Sequence, residues 1–261
     1  MIETITLLGG SGKNGAAEPV DRVEFAMGDV VSIVGPTGSG KTTLINDIEL
    51  FADGSTPSKR RILINGEPPA REYGYETFHN PIALITQHTN FLSDLPVGEF
   101  LSIHAAARRT DDGGAGRKVD ETLHFANELT GEPIGRACRM TELSGGQTRA
   151  LLIADAVVIG NTPIVLLDEI ENAGIHRMRA LELLRMHRKI YIFVTHDPYI
   201  ALLSDFRIVM QNGRMVNVVR LSEEERKLQA HVRAMDDRLS GLRNRIRAGE
   251  SLNWEELAVP A

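Results

Sequence analysis

The chain has 261 residues, 42% of them apolar, and a net charge of −6, which suits one large α/β domain with a smaller appendage and a sizeable core. The acidic balance removes any global basic field for nucleic acid or an anionic membrane. The lone cysteine, Cys138, excludes an intrachain disulfide and a multi-cysteine zinc site, and no apolar run approaches the ~20 residues of a membrane span.

Ile2 to Leu8 alternates apolar and polar residues and reads as a strand. The opening MIETITLLGG has neither a basic n-region nor a long apolar core, so no signal peptide is expected. A cytoplasmic protein docked on a partner is the expectation. Gly9 to Gly15, GGSGKNG, reads as a flexible hairpin tip, because it is glycine-rich but lacks phosphate-loop spacing. Val20 to Phe25 reads as the returning strand, and Gly28-Asp29 as a turn.

Val30 to Thr43, VVSIVGPTGSGKTT, organises the rest of the chain. A nearly continuous apolar strand runs into Gly35-Pro36-Thr37-Gly38-Ser39-Gly40-Lys41-Thr42, which fits G-x-x-x-x-G-K-[ST] at every fixed position. Gly35, Gly38 and Gly40 let the backbone curl so that successive N–H groups face a phosphate chain. The helix that follows adds the positive end of its dipole. Lys41 is expected to reach the β- and γ-phosphates, and the Thr42 hydroxyl to hold Mg²⁺.

Further along, Arg61 to Ile64 and Ile82 to Ile85 read as strands, the first closed by the turn Asn65-Gly66 and the second ending at Thr86-Gln87. From about residue 90 to 145 the pattern is helical and reads as an inserted subdomain, divided by the polar stretch Asp111 to Gly116. Leu143-Ser144-Gly145-Gly146-Gln147 precedes a helix from Thr148 to about Ile159. The apolar strand Ile164 to Leu167 ends in Asp168-Glu169, a helix covers roughly His176 to His187, and the strand Ile190 to Val194 ends in Thr195-His196. Phe206 to Met210 and Met215 to Val219 flank Asn212-Gly213, a hairpin signal. From Leu221 an apolar seam at Leu221, Leu228, Val232, Met235, Leu239, Leu242 and Ile246 marks an amphipathic helix. It packs either on its own domain or on a partner helix.

Each polar residue at a strand end has a chemical reading. Asp168 suits a Mg²⁺ ligand, or equally an N-cap. Glu169 is placed to accept a proton from an attacking water. A lone His196 reads as structural or as a hydrogen-bond partner of a γ-phosphate, and a lone Gln87 as a surface residue or as a contact to Mg²⁺ or the water. Ser144-Gly145-Gly146 at a helix start forms an anion site.

In order and spacing, these motifs resemble the nucleotide-binding domain of an ATP-binding cassette (ABC) ATPase, from about Ile2 to Arg220. LSGGQ at Leu143 to Gln147 is the most specific match. The resemblance implies an α/β P-loop fold with a mainly parallel sheet, an antiparallel β subdomain and the helical insertion. Residues 1–220 form this domain, and 221–261 a helical tail. It implies a Mg²⁺-dependent ATPase with Glu169, His196 and Gln87 catalytic. Thr42, Gln87 and Asp168 serve the metal, and Gly35 to Thr43 hold the nucleotide together with Ser144, Gly145, Gly146 and Gln147. It further implies a head-to-tail dimer, with a second copy or a paralogue, in which each signature closes over the other subunit's ATP. Two departures stand out. No aromatic lies between Met1 and Arg22 to stack on the base, and Gly174-Ile175-His176 replaces the usual loop after Walker B, closer to some DNA-repair members. Two functions are therefore carried forward: the energy-coupling subunit of a transporter, held on the inner membrane face by a permease, and a soluble ATPase acting on a macromolecule.

Overall fold

The strands sort into two sheets. The computed structural model describes residues 1–70, 73, 80–86, 88–108, 114–168 and 177–252. One sheet is three-stranded and antiparallel, and in it β1 (Thr4–Leu8) lies between β2 (Arg22–Ala26) and β4 (Arg61–Ile64). The other is a six-stranded sheet of β3 (Val30–Val34), β5 (Ile82–Ile85), β6 (Ile164–Asp168), β7 (Ile190–Val194), β8 (Phe206–Gln211) and β9 (Arg214–Arg220). Its order is β5-β6-β7-β3-β8-β9. Every pair in it is parallel except β8 with β9. Strands β3, β6 and β7 are buried on both faces, which is why their sequences do not alternate.

The core is divided by this sheet. Ile164 and Leu166 of β6 point to one side, where they join Leu44, Ile45 and Ile48 of α1 (Lys41–Glu49) and the small sheet's Ile5, Leu7 and Phe25. Val165 and Leu167 point to the other side. There they meet α2 (Val97–Ala107), α3 (Ala115–Leu129), α4 (Gly145–Val158), α5 (Arg177–Met186) and α6 (Pro198–Leu203). Period-two alternation along a strand is what separates the two clusters.

Residues Met1–Arg220 form one unit and Leu221–Ala261 a second. In the second, α7 (Glu223–Arg247) starts at Ser222, whose hydroxyl accepts from Glu225 N at 3.1 Å while Glu225 Oε2 accepts from Ser222 N at 3.1 Å. This is a capping box, strengthened by three glutamates in the first turn. Leu228, Met235, Leu239 and Ile246 along α7 are exposed.

Expected elements and observed ones differ in detail. The helix after LSGGQ begins at Gly145 rather than Thr148, because Ser144 caps it. The glycine run from Gly9 to Gly15 is no loose hairpin tip. Gly12 N donates to Ala16 O at 2.9 Å, Ser11 N donates to Ser58 O at 2.6 Å, and Ser11 bridges Ala17. The short helix α6, capped by Asp197 with Pro198 at its first turn, has too few residues for a periodic signal.

Candidate functional site

The buried strand β3 delivers the chain to Gly35, whose φ is 152° and whose hypothetical Cβ would lie 2.4 Å from Met210 O. Only glycine fits there. Gly38 (φ 78°) and Gly40 (φ 98°) complete the curl, and Gly40 is the left-handed cap of α1. Lys41 folds back over the loop, its Nζ 2.8 Å from Gly35 O and 3.2 Å from Pro36 O. Thr42 and Thr43 are exposed in the first turn of α1.

The turn between β8 and β9 leans on this loop. Asn212 (φ 52°) and Gly213 (φ 79°) take the positive φ angles that a tight hairpin turn needs. Gly213 N donates to Ser39 O at 2.8 Å, and a Cβ on Gly40 would sit 2.9 Å from Gly213 Cα. A cavity of about 270 Å³ lies between them, lined by Pro36, Thr37, Gly38, Ser39, Gln211 and Asn212. The Ser39 hydroxyl is buried and has no hydrogen-bond partner among the described residues. An orphaned donor in a glycine-curled loop is the feature a phosphate oxygen would satisfy.

The remaining polar residues arrive on parallel neighbours. Asp168 ends β6 and pairs in register with Val194, the last residue of β7, which in turn pairs with Ile33 of β3. His196 follows two residues beyond that register point, between Thr195, whose N–H donates to Ile33 O at 3.2 Å, and Asp197, which caps α6. Gly35, Asp168 and His196 thus emerge at the carboxyl ends of three adjacent strands, β3, β6 and β7. Open α/β sheets place their ligands along such an edge. Gln87 and Glu169 lie outside the described residues, as do residues 170–176.

The signature is brought to a different place. Ser144 Oγ accepts from Gln147 N at 3.3 Å, and Gln147 Oε1 accepts from Ser144 N at 2.9 Å, forming a capping box at the start of α4. Gln147 Nε2 also donates to Glu132 O and Pro133 O, both at 3.4 Å. Gln147 therefore shapes the helix start, leaving Ser144 and Gly145 exposed. Helix α4 packs on the face of the sheet opposite to α1, so the two glycine-rich helix starts belong to different layers of the same unit.

Sequence reasoning missed one group next to the phosphate loop. Arg60, fully buried, donates from Nε to Glu18 Oε2 at 3.1 Å and from Nη2 to Glu18 Oε1 at 2.7 Å. Its Nη1 donates to Asp47 Oδ2 at 2.8 Å, and Nη2 also to Gly213 O at 3.0 Å. Burial alone would lower the Arg60 pKa, yet the hydrogen bonds and charges of Glu18, then Asp47, hold it above its ordinary value. Within Lys59-Arg60-Arg61 nothing local distinguishes the buried cation from its neighbours.

A family model described as ABC transporter matches residues 21–172, more than half the chain. An ABC transporter ATP-binding protein of Methanocaldococcus jannaschii is 48% identical over 260 residues, covering 99% of this chain and 98% of that protein. The sulfate/thiosulfate import ATP-binding protein CysA of Gloeobacter violaceus is 32% identical over 204 residues, 76% of this chain and 56% of its own length. Among solved structures, the dimeric post-hydrolysis state of an ATP-binding cassette bound to ADP and phosphate matches with a TM-score of 0.63. It does so at 22% identity, over 84% of this chain and 99% of that one.

Proposed function

Because this chain belongs to the ABC transporter family of ATP-binding proteins, we propose that it binds and hydrolyses ATP with Mg²⁺ as the energy-coupling subunit of a membrane transporter. The observation that carries the reading is the convergence of the phosphate loop, Asp168 and His196 at the carboxyl ends of β3, β6 and β7.

Lys41 exchanges the Gly35 and Pro36 carbonyls for β- and γ-phosphate oxygens, stronger partners for an ammonium. The loop's N–H groups and the start of α1 hold the rest of the phosphate chain. Thr42, Asp168 and Gln87 supply the hard oxygen donors that suit Mg²⁺, which when bound neutralises charge on the β- and γ-phosphates. Glu169 takes the proton of the attacking water, and His196 orients the γ-phosphate.

Ser144, Gly145 and Gly146 then act on the nucleotide of another subunit. The placement of α1 and α4 on opposite sheet faces supports this head-to-tail arrangement. The partner is a second copy or a paralogue. A permease is the second partner. Phe91 packs edge-on against Phe100 with ring centroids 5.1 Å apart, and Leu92 beside it is fully exposed, an apolar offering of the kind docking surfaces use. No described helix is long and apolar enough to cross a membrane, so membrane attachment by this chain's described residues would run through such a partner.

The test is Glu169→Gln. It keeps ATP binding, accumulates an ATP-bound dimer and lowers turnover at least about a hundredfold, the scale of a lost general base. Full turnover would refute the assignment. Recovery of the native protein with a membrane protein separates the transporter reading from an ATPase acting on a soluble macromolecule.

A further inference from the structure

The glycine-rich run between β1 and β2 plays no part in the mechanism above, yet it is built against the nucleotide site. Lys13 Nζ donates to Gly38 O at 2.9 Å, and Lys13 N to Asn212 O at 3.4 Å. Gly38 and Asn212 both line the cavity beside the phosphate loop, together with Ser39. Two lysines thus grip one phosphate loop by its carbonyls, Lys41 at Gly35 and Pro36 and Lys13 at Gly38.

The position of Lys13 is fixed by packing. A Cβ on Gly12 would come within 2.4 Å of Arg214 Cγ, and one on Gly213 within 3.0 Å of Lys13 Cγ, so this loop and the hairpin turn are pressed together. Glu18, three residues beyond Gly15, accepts from Gly10 N at 2.8 Å and is locked by Arg60 to Asp47 of α1. The same buried arginine therefore ties the Lys13 loop, the hairpin turn and the helix that follows the phosphate loop into one rigid support.

We propose that Lys13 is a second nucleotide-contacting lysine, which leaves the Gly38 carbonyl for a phosphate oxygen of the bound nucleotide triphosphate. The side chain is exposed, its outer stem beyond the packed Cγ can turn, and a neutral carbonyl is a poorer partner for an ammonium than an anionic oxygen. The contact adds affinity through charge and is indifferent to the base. The inference rests on the nucleotide site described above.

The test measures binding of ATP and GTP to the full chain for wild type, Lys13→Ala, Lys13→Arg and Lys41→Ala. Lys13→Ala weakens ATP and GTP alike, by about tenfold or more, as loss of a charge-assisted hydrogen bond does. Lys13→Arg stays within about threefold of wild type. The advantage of wild type over Lys13→Ala shrinks as salt is raised, while the unfolding temperature without nucleotide is the same for both. Unchanged affinity in Lys13→Ala overturns the inference. So does a loss confined to one base, which makes Lys13 a base reader. A salt-independent loss with a lowered unfolding temperature also overturns it, because Lys13 then only props the loop. If Lys41→Ala binds as wild type does, the nucleotide-site reading itself fails instead.

Discussion

Replacing Arg60 by methionine tests how the support beneath the nucleotide site is held. The guanidinium is fully buried and spends four hydrogen bonds on Glu18, Asp47 and Gly213. The two carboxylates are themselves 0% and 5% exposed. Methionine roughly fills the volume but leaves two buried carboxylates without the cation that neutralised them. Breaking a buried ion pair by removing one partner costs about 3–5 kcal/mol, and with two stranded carboxylates the upper figure applies. At a denaturant slope of about 2 kcal/mol per molar urea, the unfolding midpoint falls by about 2.5 M. Far-UV circular dichroism follows the transition, and a fluorescent ATP analogue reports the site at each urea concentration. Adding Glu18→Gln and Asp47→Asn to Arg60→Met removes the stranded charges and recovers much of the loss, since neutral replacement of a buried ion cluster is often nearly neutral in energy. A loss below about 1 kcal/mol, or no recovery on neutralisation, would show that packing rather than charge makes Arg60 important.

Further measurements probe other parts of the chain. Lys189, 4% exposed, donates to Asn161 Oδ1 at 2.8 Å, and burial, then the charge of Lys118, lowers its pKa from 10.5 to about 8. The unfolded chain holds more protons than the folded one between those values, so stability rises as pH climbs through that window. Below it the folded state carries a penalty of about 3 kcal/mol. Lys189→Met should therefore gain up to that much at pH 7 and lose its advantage by about pH 10.5; a gap constant with pH would refute this. The Tyr191 hydroxyl is buried without a partner among the described residues, and Tyr191→Phe should be neutral or stabilising by about 1 kcal/mol. A comparable loss would reveal a missed partner. With no aromatic between Met1 and Arg22, GTP should compete with ATP within about one order of magnitude. An affinity hundreds of times weaker would show that some residue reads the base. Deleting residues 222–261 should leave an ATP-binding protein whose nucleotide-free association is weaker by light scattering. Equal masses would exclude pairing through the exposed Leu228, Met235, Leu239 and Ile246.

What the sequence determined by itself is what local chemistry writes into adjacent residues. The phosphate loop was legible because its glycines answer to backbone angles at Gly35, Gly38 and Gly40. Both Asn-Gly turns take positive φ for the same reason, at Asn65-Gly66 and Asn212-Gly213. The continuous apolar runs of β3, β6 and β7 announced strands buried on both faces, and therefore a parallel sheet with Asp168 at the end of one strand and His196 just past another. The tertiary structure alone decided which side of that sheet each helix covers. Strand alternation gives every buried strand two apolar faces, and nothing in the sequence of α1 or α4 says which face is its own. It alone turned the Gly9 to Gly15 run from an expected loose tip into the seat of Lys13. Glycines that look permissive in sequence are also the ones that let two backbones touch. It also selected Arg60 from three consecutive basic residues. The carboxylates that keep its charge buried lie 42 and 13 residues away, a distance that no local pattern spans.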